Sequence, residues 1–268
     1  MFNSAFFARL VLGVSLVPGL ALAASVALPP LTAAQIVEKN VAARGGHAAW
    51  AAVQAMSWKG KMGAGASTYT TVSPAGKMQT KTREEAQLPF TLEFKRPQKT
   101  RLELEVNGRT AVQVYDGEQG WKLRPYLGRS GWDPYTPEEL NKAAAEPGIE
   151  GLLINYAAKG SRVETDGTDR VEDHDAYKLK VTLKNGQVRH VWLDGQSFLE
   201  IKVDGTPRRL DGKPRPVEIY LRDFKAEKGL MIPHRLETAV QGVRNKEAIQ
   251  IENVTVNPNL NDSLFTKS

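Results

Sequence analysis

Four histidines, at positions 47, 174, 190 and 234, are the residues best suited to do chemistry in this 268-residue chain. Imidazole titrates near neutral pH and ligates metals readily. No pair has the His-Glu-x-x-His spacing that sets two ring nitrogens on one helical turn, so no metal site is expected. Asp173-His174-Asp175 is the one tight cluster. It falls at the head of a strand pattern, where acidic residues make turns, and it reads as a solvated turn. Gly128-Arg129-Ser130-Gly131 misses the Gly-x-Ser-x-Gly spacing of a nucleophile elbow. Gly63-Ala64-Gly65 lacks the third glycine and the strand–helix context of a dinucleotide loop. Glu84 and Glu85 are adjacent, so on a strand they point to opposite faces and do not share a substrate bond. No catalytic residue and no cofactor is expected, and the chain does not read as an enzyme. An enzyme would need a cleft in which His190 or His234 faces a carboxylate.

The chemistry that remains is apolar burial. Leu102, Leu104 and Val106 alternate with Arg101, Glu103 and Glu105, which gives one greasy and one charged strand face. Asn107-Gly108 then supplies the dipeptide of a type I′ hairpin ahead of Val112 and Val114. Phe94, Leu102, Leu104, Val112, Val114, Trp121 and Trp132 are candidates to line a concave apolar surface. The same residues would serve equally as ordinary core.

Those residues must be positioned by a sheet. Strand patterns run over residues 58–62, 68–73, 77–84, 90–95 and 101–115, and return at 177–193, 199–203, 217–224, 231–240 and 248–256. Thr32 and Gln35 form a capping box before a helix with an Ile36, Val37, Asn40, Val41 stripe, stopped by Gly45-Gly46, and a short second helix follows through Trp50. In the middle, Thr136, Pro137 and Glu139 open another helix. Pro147-Gly148 breaks it, and residues 149–158 read as a further apolar helix carrying Leu152, Leu153 and Ile154. The helices on either side of Pro147-Gly148 are the candidate lid over the sheet, with the break as its hinge. No long linker or short repeat divides the chain, so residues 24–268 read as a single domain.

Residues 1–23 have the anatomy of a secretory signal: Arg9, an apolar run, then Ala21-Leu22-Ala23 before a cut ahead of Ala24. The mature chain is expected to be periplasmic, soluble and monomeric. The absence of cysteine excludes disulfides, thiolate metal sites and an N-terminal lipidated cysteine. Formal charge is +6, and +5 without Arg9. It peaks at Arg208, Arg209, Lys213 and Arg215 in a Pro/Gly-rich loop. On an exported chain this favours an anionic headgroup, a membrane surface or an acidic partner, and not nucleic acid.

Six patches, taken in order, resemble the outer-membrane lipoprotein-sorting carriers (LolA-like proteins), and most nearly an uncharacterised branch of them. They are IVEKNVAARGG (36–46), FKRPQKTR (94–101), YDGEQGW (115–121), residues 177–193, MIPH (231–234) and VNPNLNDSLF (256–265). The resemblance implies a mostly β fold with some α: an incomplete antiparallel β-barrel, a half-barrel sheet whose concave face is covered by helices. It also implies binding of acyl chains from a lipid or lipoprotein for transport towards the outer membrane. An envelope sensor or protein-interaction module that uses the same sheet as a scaffold, with a membrane-associated envelope protein as partner, stands as the alternative. This chain departs from the sorting carriers in length and in the basic loop at 208–215.

Overall fold

A computed structural model describes residues 28–63, 67–73, 76–83 and 86–267. The proposed signal and its cleavage site, the end of Gly63-Ala64-Gly65, and Glu84-Glu85 lie outside the described residues. The first helix, α1 (Ala33–Ala43), begins as its capping box requires. Thr32 Oγ1 accepts from Gln35 N–H at 3.3 Å, and Thr32 N–H donates to Gln35 Oε1 at 2.9 Å. Its buried residues are the four of the expected stripe. A short α2 (His47–Ala51) follows, and Trp50 donates from Nε1 to the Arg44 carbonyl at 2.9 Å.

Seventeen strands follow among the described residues, with one further α-helix between them. The first half holds β1 (Ala55–Gly63), β2 (Ser67–Val72), β3 (Met78–Arg83), β4 (Gln87–Lys95), β5 (Lys99–Val106), β6 (Arg109–Tyr115), β7 (Gly120–Leu123) and β8 (Trp132–Pro134). After α3 (Pro137–Ala145) come β9 (Arg162–Val171), β10 (His174–Thr182), β11 (Val188–Asp194), β12 (Glu200–Asp204), β13 (Arg208–Leu210) and β14 (Lys213–Arg215). The last three are β15 (Val217–Glu227), β16 (Leu230–Val240) and β17 (Glu247–Val256). Thirteen of them make one antiparallel sheet in the order β8-β7-β6-β5-β4-β1-β17-β16-β15-β12-β11-β10-β9. The sheet stays open, with β8 and β9 at its two edges. This is the expected half-barrel architecture.

The β5–β6 turn has φ of 52° at Asn107 and 72° at Gly108, the paired left-handed conformation of a type I′ hairpin. β1 carries a bulge between Lys59 and Gly60 against β17. A Cβ on Gly60 would stand 1.9 Å from the Gln250 carbonyl oxygen, so only glycine lets the two backbones approach there.

Three expectations need correction. Residues 149–158 are not an α-helix: a 3₁₀ turn (Gly148–Glu150) leads into consecutive turns through Gly160, with Asn155 at φ 54°. The physical cause is Lys159, whose ammonium donates to the carbonyls of Gly151 (2.8 Å) and Ile154 (2.7 Å), replacing helical N–H partners. The basic loop at 208–215 is a hairpin, β13–β14, turning through Asp211 (φ 51°) and Gly212 (φ 75°). Strand β9 was not expected at all. It is an edge strand, exposed along nearly its whole length, so it carries no alternation to read.

Candidate binding face of the sheet

Antiparallel partners share a face, so register alone sorts the side chains. One face, called inner here, carries the helices. Met56, Tyr177, Leu179, Val191, Leu193, Ile232 and Val256 are buried there with Ile36, Val37 and Val41 of α1 and with Leu152, Leu153 and Ile154. Polar pins hold α1 in place. Asn40 Nδ2 donates to the Phe198 carbonyl at 2.8 Å, and Arg44 Nε to the Met231 carbonyl at 3.1 Å. Arg44 Nη1 also meets Glu200 Oε1 at 2.8 Å, with both side chains almost wholly buried.

Beyond α1 the inner face remains apolar, with Phe90, Gly60 and Ile251 buried and the rows on either side of them only half-buried. One cross-strand row runs Leu102–Leu92–Trp58–Val254, and another runs Leu88–Met62–Ile249–Leu236–Leu221 across five strands. Between them lies the row Leu104–Phe90–Gly60–Ile251. Every member of the outer two rows is half-buried. Phe94 closes the first row's lower side, its ring edge-on to Trp58 with centroids 5.2 Å apart. The result is an apolar trough without a complete cover.

Register separates the expected lining residues into two groups. Phe94, Leu102 and Leu104 face the trough. Val112, Val114, Trp121 and Trp132 do not: they pair through Glu103, Arg101 and Leu123 on the outer face. The two-residue turn pairs Val106 with Arg109, so even-numbered residues before it lie beside odd-numbered ones after it. Val114 is fully buried, and the C-terminal tail crosses nearby: Arg101 Nη1 donates to the Leu264 carbonyl at 2.9 Å, and Lys267 Nζ lies 5.9 Å from the Trp121 ring. Leu152 and Ile154, expected in a lid, are buried with α1 as part of the core. Leu152 also lines a cavity.

That cavity, of about 1060 Å³, opens between the β4–β5 turn, the end of α3, the turns at 148–161 and the β10–β11 turn. Phe94, Ile149, Leu152 and Leu183 supply its apolar wall, and Lys95, Arg96, Lys99, Lys159 and Lys184 stand around it. Glu150 is buried in the wall between Arg96 and Lys159 (3.1 Å), and Asn155 Nδ2 donates to it at 3.1 Å. Burial alone would raise the Glu150 carboxyl, but the Arg96 hydrogen bond and the Lys159 charge outweigh it and hold it below the usual range. Burial pulls the Lys159 ammonium down, against the opposing pull of Glu150.

Helix α3 crosses the open side. Its capping box is formed by Thr136 and Glu139. Glu139 also pairs with Lys122, an inner-face residue of β7, and Tyr135 lies against Gly120, where a Cβ would meet its ring at 2.2 Å. At the other end, Thr206 Oγ1 donates to Glu146 Oε1 at 3.1 Å. The helix therefore ties the β7 side of the sheet to the β12–β13 connector, with no residue of its own buried. Burial by itself would raise Glu139, but its hydrogen bonds to Lys122 and Thr136 leave it low. Tyr135 is pushed up to about 12, chiefly by burial and then by the Glu139 charge. Sequence reading found α3 but not its two tethers, which join residues 17 and 60 positions apart.

The histidines sit elsewhere. His190 meets Asp204 Oδ2 at 2.7 Å on the outer face, and His234 is buried with Nε2 3.0 Å from Glu227. Each faces a carboxylate, yet neither lines the cavity. His174 hydrogen-bonds Asp194 at 2.8 Å at the start of β10 and is largely exposed. Among the described residues no three His, Asp or Glu side chains cluster in a way that could hold a metal ion. No described helix is long and apolar enough to cross a membrane.

An open antiparallel sheet with a helix-covered apolar face is a LolA-like fold, and comparison with solved structures agrees. A LolA superfamily protein from Nitrosomonas europaea superposes with a TM-score of 0.55 at 15% identity, over 89% of this chain and 99% of that one. A DUF1329 family protein from Desulfovibrio piger gives 0.53 at 14% identity, over 87% and 97%. A domain provisionally assigned as an outer membrane lipoprotein-sorting protein, from Vibrio parahaemolyticus, gives 0.52 at 13%, over 86% and 94%. No family model and no curated protein matches the sequence. At such identities the likeness is one of fold.

Proposed function

We propose that the protein is an exported, periplasmic carrier that holds acyl chains of a lipid or lipoprotein in the inner trough for transport towards the outer membrane. One observation carries this reading: the half-buried rows of leucine, isoleucine, methionine and tryptophan on the inner face, which a closed core would have covered. Each methylene moved from water into such a trough contributes about 0.8 kcal/mol, so a long chain supplies on the order of 10 kcal/mol before ordering costs. A carrier must also release its cargo. Helix α3, held by side-chain bonds at its two ends and by no buried residue, is the element suited to open. The carrier acts here by binding, without chemistry at the cargo. The test is mass spectrometry of an organic extract of the purified protein. Acyl-chain lipid present in amounts comparable to the protein supports the reading. A lipid-free preparation that also ignores added acyl-chain probes overturns it.

A further inference from the structure

Among the described residues the large apolar side chains left exposed are Val72, Met78, Tyr126, Leu127, Val188 and Val243. In an antiparallel sheet the connectors leave alternately from two ends, and all six residues belong to one end. Tyr126 and Leu127 lie between β7 and β8, Val188 begins β11 after the β10–β11 turn, and Val243 is in the β16–β17 turn. Val72 and Met78 face each other beside the tip of the β2–β3 hairpin, inserted between β1 and β4 at that same end. Arg109 Nη1 donates to the Pro125 carbonyl at 2.9 Å, steadying the 3₁₀ turn that carries Tyr126 and Leu127.

Charge follows the same division. Segments 124–131, 183–187, 205–216 and 241–246, all at this end, hold nine basic residues and a single acidic one, Asp211. The connectors at the opposite end carry Asp116, Glu118, Glu172 and Asp173 against Arg96 and Lys228. Some rim cations are neutralised: Arg208 by Glu247 at 2.7 Å, Arg124 and Arg129 by the one carboxylate of Asp133 at 3.0 Å each, and Lys246 by Glu237 and by Glu172, which reaches it from the β9–β10 turn, at 3.6 Å each. Lys184, Lys213, Arg215 and Arg244 meet no carboxylate among the described residues, and Arg209 comes only within 3.9 Å of exposed Glu138. Arg215 also stands directly across the hairpin from Arg208.

We propose that this rim is a docking surface for a bilayer that displays anionic phospholipid headgroups. The unpaired cations would meet the headgroups, and tyrosine, leucine, valine and methionine would enter the interface beside them. The apolar residues are spread singly over several connectors. That suits insertion between lipids, whereas a protein partner needs a contiguous, desolvated cluster. The inference goes beyond acyl-chain carriage, because the rim lies at the end of the sheet and can dock with the trough empty.

Flotation of the full chain with vesicles of phosphatidylcholine, alone or mixed with phosphatidylglycerol, tests it. The chain should float with the mixed vesicles, stay behind with phosphatidylcholine alone, and be released by high salt. The triple variant Arg209→Glu/Lys213→Glu/Arg215→Glu should weaken flotation about tenfold or more. The pair Leu127→Ser/Val243→Ser should weaken it separately. Both variants should keep the parent's melting temperature and acyl-probe affinity, which separates failure of the rim from failure of the trough. Equal flotation on both vesicle types, indifference to charge reversal, or capture of an acidic envelope protein with no vesicle binding would overturn the proposal.

Discussion

Glu150 shows how single residues set the inner architecture. Its carboxylate gathers Arg96, Asn155 and Lys159, and Lys159 in turn ties the carbonyls that a helix would have used. Because the folded carboxyl titrates below its unfolded value, the stabilisation is complete above the ordinary glutamate value and is lost as pH falls through the folded value. Glu150→Gln should therefore lower stability at neutral pH and flatten the acid limb of a stability–pH profile measured by urea unfolding. An unchanged acid limb would remove Glu150 as its source. Residue-level reading from sequence caught Phe94, Leu102 and Leu104 through simple alternation. It placed Val112, Val114, Trp121 and Trp132 on the same wall, although the Asn107-Gly108 turn already contained the parity that moves them to the other face. What could not be read is why Val114 is buried there, since its cover comes from the distant tail around Leu264.

Among the elements, α1 and α3 were legible because capping boxes are local chemistry, while the turns at 149–160 were not. Their apolar composition fits a helix; what displaces it is the Lys159 ammonium on the Gly151 and Ile154 carbonyls, beside a Glu150 that the long-range contact with Arg96 holds in place. Their role differs accordingly. Ile154 is wholly buried with α1, so Ile154→Asp should cost several kcal/mol and abolish the cooperative melt. A folded variant that merely binds less probe would restore these turns as a lid. For α3 the opposite holds. Glu139→Ala removes both the capping partner and the Lys122 tether, worth about 1 kcal/mol to the helix. Stopped-flow uptake of a fluorescent acyl probe should quicken severalfold while the global melting temperature shifts by little. Uptake at the parent rate would mean that α3 does not gate the trough.

At the scale of the molecule, thirteen antiparallel strands and a helical filling leave one face partly unfilled. The half-barrel was legible because alternation and hairpin turns recur along the chain. Its open trough was not, because half-burial arises only when strands far apart in sequence, such as β4 and β17 on either side of β1, align their leucine, methionine and isoleucine rows. The most direct test is a fluorescent acyl-chain titration of the parent chain and of Leu102→Asp/Leu104→Asp, with thermal melts alongside. Both leucines are half-exposed in the trough, so the double variant should stay folded and lose at least tenfold in affinity. A folded double variant that binds as tightly as the parent would contradict the assignment of the inner trough as the acyl-chain site.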